Sequence, residues 1–173
     1  DFANNASTFN KKLPTQEKIE NYLIKRTNVW FSTFLFFVNP GMYKQMMNDD
    51  FDIIHAIGVR SFQAFIATLV SKRKKIPLVI SDQGGLTTHP DLKKSSIVKR
   101  ILIELQKPMI KFVINNSTKI IVANEYEKKI FLNFCDKSKI VIVKNGIDLN
   151  ELKPSDMDFN KKYKISQKFI LFL

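Results

Sequence analysis

From Asp52 onward the chain alternates short apolar runs with longer stretches whose apolar residues recur at helical spacing. Leu78-Val79-Ile80 is too short for a helix and too apolar for a solvent-facing strand. It reads as a strand buried on both faces, as in parallel sheets. Asp52 to His55, Lys119 to Ala123 and Ile140 to Val143 read as further strands. Arg60 to Lys75 predicts a helix, because Phe62, Phe65, Ile66, Leu69 and Val70 follow the i, i+3, i+4, i+7, i+8 pattern. Its tail, Lys72 to Lys75, complements the negative end of the helix dipole. Ser95 to about Asn115 predicts a second helix, interrupted near Pro108, with Ile97, Ile101 and Leu105 on one face. Asn124 predicts the cap of a third, with Glu127 in capping-box position and Tyr126, Ile130 and Phe134 as its buried face.

The N-terminal third is less regular. Asp1 to Pro14 is polar and asparagine-rich and reads as a loop or the remnant of an upstream element. Asn21 to Arg26 reads as an irregular strand. Val29 to Val38, VWFSTFLFFV, is the most aromatic stretch. It reads as a buried segment packed on the sheet; the alternative is an exposed surface contacting membrane or substrate. Asn39-Pro40 predicts a cap followed by proline at the first helical position, with the helix running to about Asn48.

Strand, helix, strand, helix, strand, helix, strand is the order of a parallel, doubly wound α/β sheet. Right-handed crossovers then bring the carboxyl ends of all strands to one edge, where such folds bind their ligands. His55, Ser81 to Gly85, Asn124 with Glu125, and Asn145 to Asp148 are expected along that rim. Leu149 to Lys168 is polar, contains Pro154 and reads as a linker before a new strand, Phe169 to Leu173. The chain starts without methionine and ends in that strand, so it reads as a piece of a longer protein.

Composition changes the picture little. The 173 residues are 45% apolar, enough for one domain with a core. The net charge of +12 suggests an anionic partner (nucleic acid, acidic lipid, phosphorylated substrate) or simply a solvated lysine surface. No aromatic-basic motif supports nucleic acid. Arg100, Lys107 and Lys111 recur at spacings of seven and four, a basic stripe that is a solvated face or a contact with anionic lipid. The lone Cys135 excludes an internal disulfide framework and reads as structural, and two histidines make no zinc constellation. No apolar run approaches the roughly 20 residues that span a bilayer.

No G-x-G-x-x-G, Walker P-loop or G-x-S-x-G elbow occurs. The expected rim is polar, which suits a polyhydroxylated ligand or a phosphate better than a flat apolar cofactor. Four ordered stretches, DIIHAIGVRSFQA, IPLVISDQGGLTTHPDL, TKIIVANEYEKKIF and KIVIVKNGIDLNELKP, the last followed by FILFL, resemble the N-terminal half of retaining GT-B glycosyltransferases of family 4.

The resemblance implies a Rossmann-like acceptor-side domain over residues 1–152, a linker over 153–168, and the first strand of a donor-binding domain at 169–173. It implies transfer from a nucleotide sugar to a glycan or lipid-linked acceptor, with retention and without a metal or other cofactor. The protein is expected to be cytoplasmic, and the basic stripe, where it is not simply a solvated face, would lie against the inner face of the cell membrane. The family's E-x7-E pattern, its Arg/Lys pair and its first glycine-rich loop are not in this chain, so the piece is expected to be catalytically incomplete. A non-catalytic glycan- or lipid-binding module and a GT-B epimerase are the alternatives. His55 matches the family's D-x-[IV]-H pattern, with Ile57 where a second histidine often stands. Gln83 stands where many members carry histidine, Gly84 and Gly85 fit the following loop, and Asn145, Gly146 and Asp148 match the closing N-G-[VI]-D loop. Each candidate has a plain structural role too. His55 and His89 suit loop contacts, Asn124 a cap, Glu125 a helix N-terminus, and Asn145-Gly146 a tight turn that Asp148 stabilises.

Overall fold

The computed structural model describes residues 3–5, 8–9, 13–33, 36–84, 86, 97–146, 148–149 and 159–165; for residues 3–5, 8–9, 33, 97–103 and 159–160 it describes the backbone alone. The N-terminal segment makes three antiparallel pairs: β1 (Ala3–Asn5) with β2 (Thr8–Phe9), β3 (Gln16–Ile19) with β4 (Tyr22–Lys25), and β5 (Phe31–Thr33) with β6 (Phe36–Val38). In the polar start, expected to be a loop or the remnant of an upstream element, residues 3–5 and 8–9 form a short strand pair, and Asn21 to Arg26 contributes half of a hairpin. The β3–β4 turn closes over two residues, Ile19 facing Tyr22, with Glu20 in the left-handed region at φ 52°. In the aromatic stretch the two readings divide between its strands. Phe36 of β6 packs edge-on against Phe62 at 6.1 Å, while Trp30 and Phe31 on the other side are 73% and 57% exposed.

Helix α1 (Gly41–Asn48) follows, but Asn39 does not cap it with its side chain. The Asn39 and Pro40 carbonyls accept from Met42 N and Tyr43 N. The Asn39 amide instead donates to Thr27 Oγ1 (3.0 Å) and accepts from Gln63 Nε2 (2.9 Å), tying this corner to the next helix.

The remaining strands, β7 (Ile54–Ile57), β8 (Leu78–Ser81), β9 (Lys119–Val122) and β10 (Ile140–Ile142), form one parallel sheet in the order β10-β9-β8-β7. The expected Rossmann-like α/β architecture is present. Its strands are neighbours in sequence order, so every right-handed crossover steps the same way and delivers its helix to the same side. That side is buried: Ile54, Leu78, Ile80, Ile120 and Val122 are 5% exposed or less. They pack with Ala64, Ile66, Ala67 and Val70 of α2 (Phe62–Lys74), Ile110, Val113 and Ile114 of α3 (Ile97–Asn116), and Phe131 of α4 (Glu125–Phe131). Burying one such aliphatic side chain contributes about 1.5–3 kcal/mol. On the opposite face, Ile57, Val141 and Val143 are exposed. Burial of the central strand on both faces therefore does not hold among the described residues: Leu78 and Ile80 are fully buried, Val79 and Ser81 half so.

Three helix expectations change. Helix α3 runs through Pro108 without a break. Proline removes one bond to the Glu104 carbonyl, and both residues lie on the exposed side, where water can take the bond's place. Its buried stripe is Ile110, Val113 and Ile114, while Leu105 is exposed; the side chains of Ile97 and Ile101 lie outside the described residues. In α4 the buried residues are Glu127 and Phe131, whereas Tyr126 and Phe134 are exposed. That helix ends at Phe131, so Phe134 lies beyond it. A short 3-10 turn (Lys137–Lys139) leads into β10, and Lys139 Nζ donates to the last carbonyls of α3, Ile114 (3.3 Å) and Asn115 (2.7 Å). A cation is favoured there by the helix dipole. Within the expected linker, α5 (Phe159–Tyr163) is helical; residues 151–158 and 166–173, including the expected strand at 169–173, lie outside the described residues.

Candidate functional site

Parallel strands put four loops on one edge: those after Ile57, Ser81, Val122 and Ile142. The first is built by Gly58, whose φ of 81° turns the chain out of β7, and by Ser61, whose hydroxyl accepts from Ala64 N (3.0 Å) to start α2. Only glycine holds such a φ without strain. Gly58 N donates to Ser81 O (2.8 Å), joining this loop to the end of β8. The second loop opens with Asp82, 2% exposed, whose carboxylate accepts from Val59 N and from Leu86 N, both at 3.2 Å. Gly84, at φ 78°, turns the chain back so that Leu86 can reach it. Exposed Gln83 stands at the outer side of this turn.

The third loop is a cap. Asn124 Oδ1 accepts from Glu127 N (2.9 Å) as expected. Glu127, however, reaches one residue further back than a capping box, accepting from Ala123 N (2.8 Å). This explains its burial: the carboxylate is turned in to satisfy the end of β9. Glu125 is exposed and pairs with Lys128 at 3.3 Å. The fourth loop holds Lys144, Asn145 and Gly146, all exposed, with Asp148 exposed beyond them. No turn is formed there among the described residues, and Gly146 has neither a left-handed φ nor any atom within 4 Å of a built Cβ. Asn145-Gly146 is therefore not the tight turn expected.

Gln83, Gly84, Asn124, Glu125, Asn145 and Gly146 thus all follow the carboxyl ends of their strands. His55 does not: it is the second residue of β7, opposite Val79, on the exposed sheet face, where its Nε2 meets Ser81 Oγ at 2.7 Å. Gly85 and His89 lie outside the described residues, as does the Arg100 side chain of the basic stripe. In that stripe Lys107 is paired with Glu104 at 2.6 Å, and Lys111 is exposed. Sequence reasoning put Asp82 on the rim, within Ser81 to Gly85, but missed that its carboxylate bridges two loops, a role that gives no periodic signal. It also missed Arg60 of the first loop, whose Nε is buried with no hydrogen-bond partner among the described residues.

The family model of Glycosyltransferase Family 4 matches residues 9–151, from β2 through the fourth rim loop. The chain belongs to glycosyltransferase family 4. No curated protein sequence matches it significantly. The match and the parallel sheet together make it a Rossmann-like domain of the GT-B N-terminal kind, and the rim is the edge at which such a domain presents its loops to a ligand. A cavity of about 880 Å³ lies elsewhere, between β4, β6, α1 and α2. Several of its polar groups are paired: Lys25 with Asp49 and Asn39 with Thr27 and Gln63 within the lining, and Arg26 with Glu17 outside it. That arrangement is the packing of a hairpin corner. Among the described residues no helix is long and apolar enough to cross a membrane.

Proposed function

We propose that the protein transfers a sugar from a nucleotide-sugar donor to a glycan or lipid-linked acceptor, with retention of anomeric configuration, and that this domain holds the acceptor. The family match carries the reading. The rim supports it chemically. It exposes amides (Gln83, Asn145) and a carboxylate (Glu125), and its loops are built from backbone. These are groups that hydrogen-bond hydroxyls and present no flat apolar slot. The work asked of such a domain is positional: it fixes the acceptor oxygen against a donor held by other elements and excludes water as the site closes. No metal enters this reading. A peripheral, cytoplasmic-face location follows from a lipid-linked acceptor, with Lys107 and Lys111 and the exposed Trp30 and Phe31 as the surfaces that would meet the membrane.

The test is incubation of the intact protein with a panel of nucleotide sugars and a lipid extract, following nucleotide release and the anomeric signal of the product by NMR. Release with an unchanged anomeric configuration is the expected result. Glycan or liposome binding with no nucleotide release from any donor would overturn the reading in favour of a binding module.

A further inference from the structure

We propose that Asp82 is the positioning residue of the rim: its buried carboxylate fixes the β7–α2 loop against the β8–α3 loop, and that spacing sets how tightly the acceptor is held. The inference rests on the acceptor-side reading above. A carboxylate that is 2% exposed is costly unless its oxygens are hydrogen-bonded. Here each oxygen takes a different loop. Oδ1 accepts from Val59 N, next to Gly58 and Arg60, and Oδ2 accepts from Leu86 N, two residues beyond Gly84. The Asp82 amide itself donates to Ile121 O of β9 (2.9 Å), so the clamp is anchored to the middle of the sheet.

Two acceptors on one rigid group are what this junction requires. Both loops offer backbone N–H donors and both turn through glycines at positive φ; the last ladder bonds, Gly58 N to Ser81 O and Asp82 N to Ile121 O, stop short of Val59 and Leu86, whose amides are left to the carboxylate. Asparagine is isosteric but offers a single acceptor oxygen; its NH2 would face one of the two N–H groups. The loop losing its partner is then free to shift, while the core beneath, with Leu78 and Ile80 fully buried, is unchanged. Asp82 is 2% exposed, so a change in ligand affinity on its replacement reports what it holds in place and not a direct contact with ligand.

The experiment has two arms on the intact protein. In the first, amide hydrogen exchange is measured by NMR in wild type and in Asp82→Asn. Val59 and Leu86 are expected to be protected in wild type. In the variant at least one of them should exchange about tenfold faster or more, the scale of one lost hydrogen bond, while Ile80 and Val122 are unaffected. Unprotected Val59 and Leu86 amides in wild type, or a uniform rise at every site of the variant, would overturn the clamp. In the second arm, transfer from UDP-glucose or GDP-mannose to methyl glycosides is followed at varied acceptor concentration. The variant is expected to raise the acceptor KM about tenfold with donor KM and kcat nearly unchanged, and Asp82→Glu, which keeps two acceptor oxygens, to restore part of the loss. A fall in kcat alone, in step with the folded fraction, would show Asp82 to be structural only. If wild type transfers from neither donor to these acceptors, the acceptor role falls with the functional reading, and the exchange arm still decides whether the clamp exists. Should Asp82→Asn fail to fold, the wild-type exchange data alone decide the clamp and Asp82→Glu kinetics the acceptor role.

Discussion

Replacing Gly58 by alanine isolates a backbone effect. A Cβ built on Gly58 meets nothing within 4 Å, so no side chain has to move. The whole cost is conformational: φ is 81°, where an L-residue is disfavoured by about 1–2 kcal/mol. For a chain of this size each kcal/mol lowers Tm by about 2–4 °C, so the Tm of Gly58→Ala is expected to fall by roughly 2–8 °C. Gly58→Asn should lose less, because asparagine visits the left-handed region more readily. Gly146→Ala is the internal control: its Cβ also meets open space, but its φ is not left-handed, so Tm should hold or rise slightly. Circular dichroism melts of the three variants and wild type are the assay. A Gly58→Ala melt within about 1 °C of wild type, or equal losses at both glycines, would refute the assignment of strain to the β7–α2 turn.

Other outcomes follow from the same contacts. Asn124→Ala removes the acceptor for Glu127 N and should cost about 1 kcal/mol in urea unfolding, with Asn124→Ser recovering most of it; no recovery would mean the cap is not the cause. Phe131→Ala empties a fully buried site beneath β9 and should cost about 3–5 kcal/mol, read as a lower urea midpoint at unchanged slope. Burial pushes the Cys135 thiol up, with Lys139 opposing and Asp136 adding to the effect. Alkylation by iodoacetamide should therefore be slow at neutral pH and reach half its maximum above the ordinary thiol range; Lys139→Ala should move that point higher and Asp136→Asn lower, and the opposite order would contradict the cause.

Where the apolar pattern was short and bounded by turn residues, the sequence was a good guide. Leu78 to Ile80, Lys119 to Val122 and Ile140 to Ile142 are strands because nothing else suits runs so brief and apolar. The cap at Asn124 was legible because a side chain reaching its own helix is a local event. Misreadings came where a polar side chain served a distant backbone or where helix length decided the face. Asn39 was read as a local cap, yet its amide is taken by Thr27 and Gln63. Glu127 turns inward to Ala123, and α4 stops before Phe134, so the stripe through Tyr126 and Phe134 never formed. At the rim the order of loops was legible from the crossover rule. His55 was placed too near the edge because the strand was read as ending there, when it continues to Ile57. Asp82 was placed on the rim with its neighbours, but its bridging role was not legible, since its partners, Val59 and Leu86, lie in two different loops.

The sequential strand order also bears on how the domain is made. Each strand pairs with the one before it: Ile54 lies beside Leu78, Val79 beside Lys119, and Ile120 beside Ile140. On a ribosome the roughly 20 to 40 residues between successive partners emerge within seconds. A newly exposed strand edge is thus covered by the next described strand to appear, and among the described residues no strand of this sheet waits on a segment still far from synthesis. Assembly can run in one direction, like a zip closed from its N-terminal end, and the interval in which an open edge invites aggregation stays short.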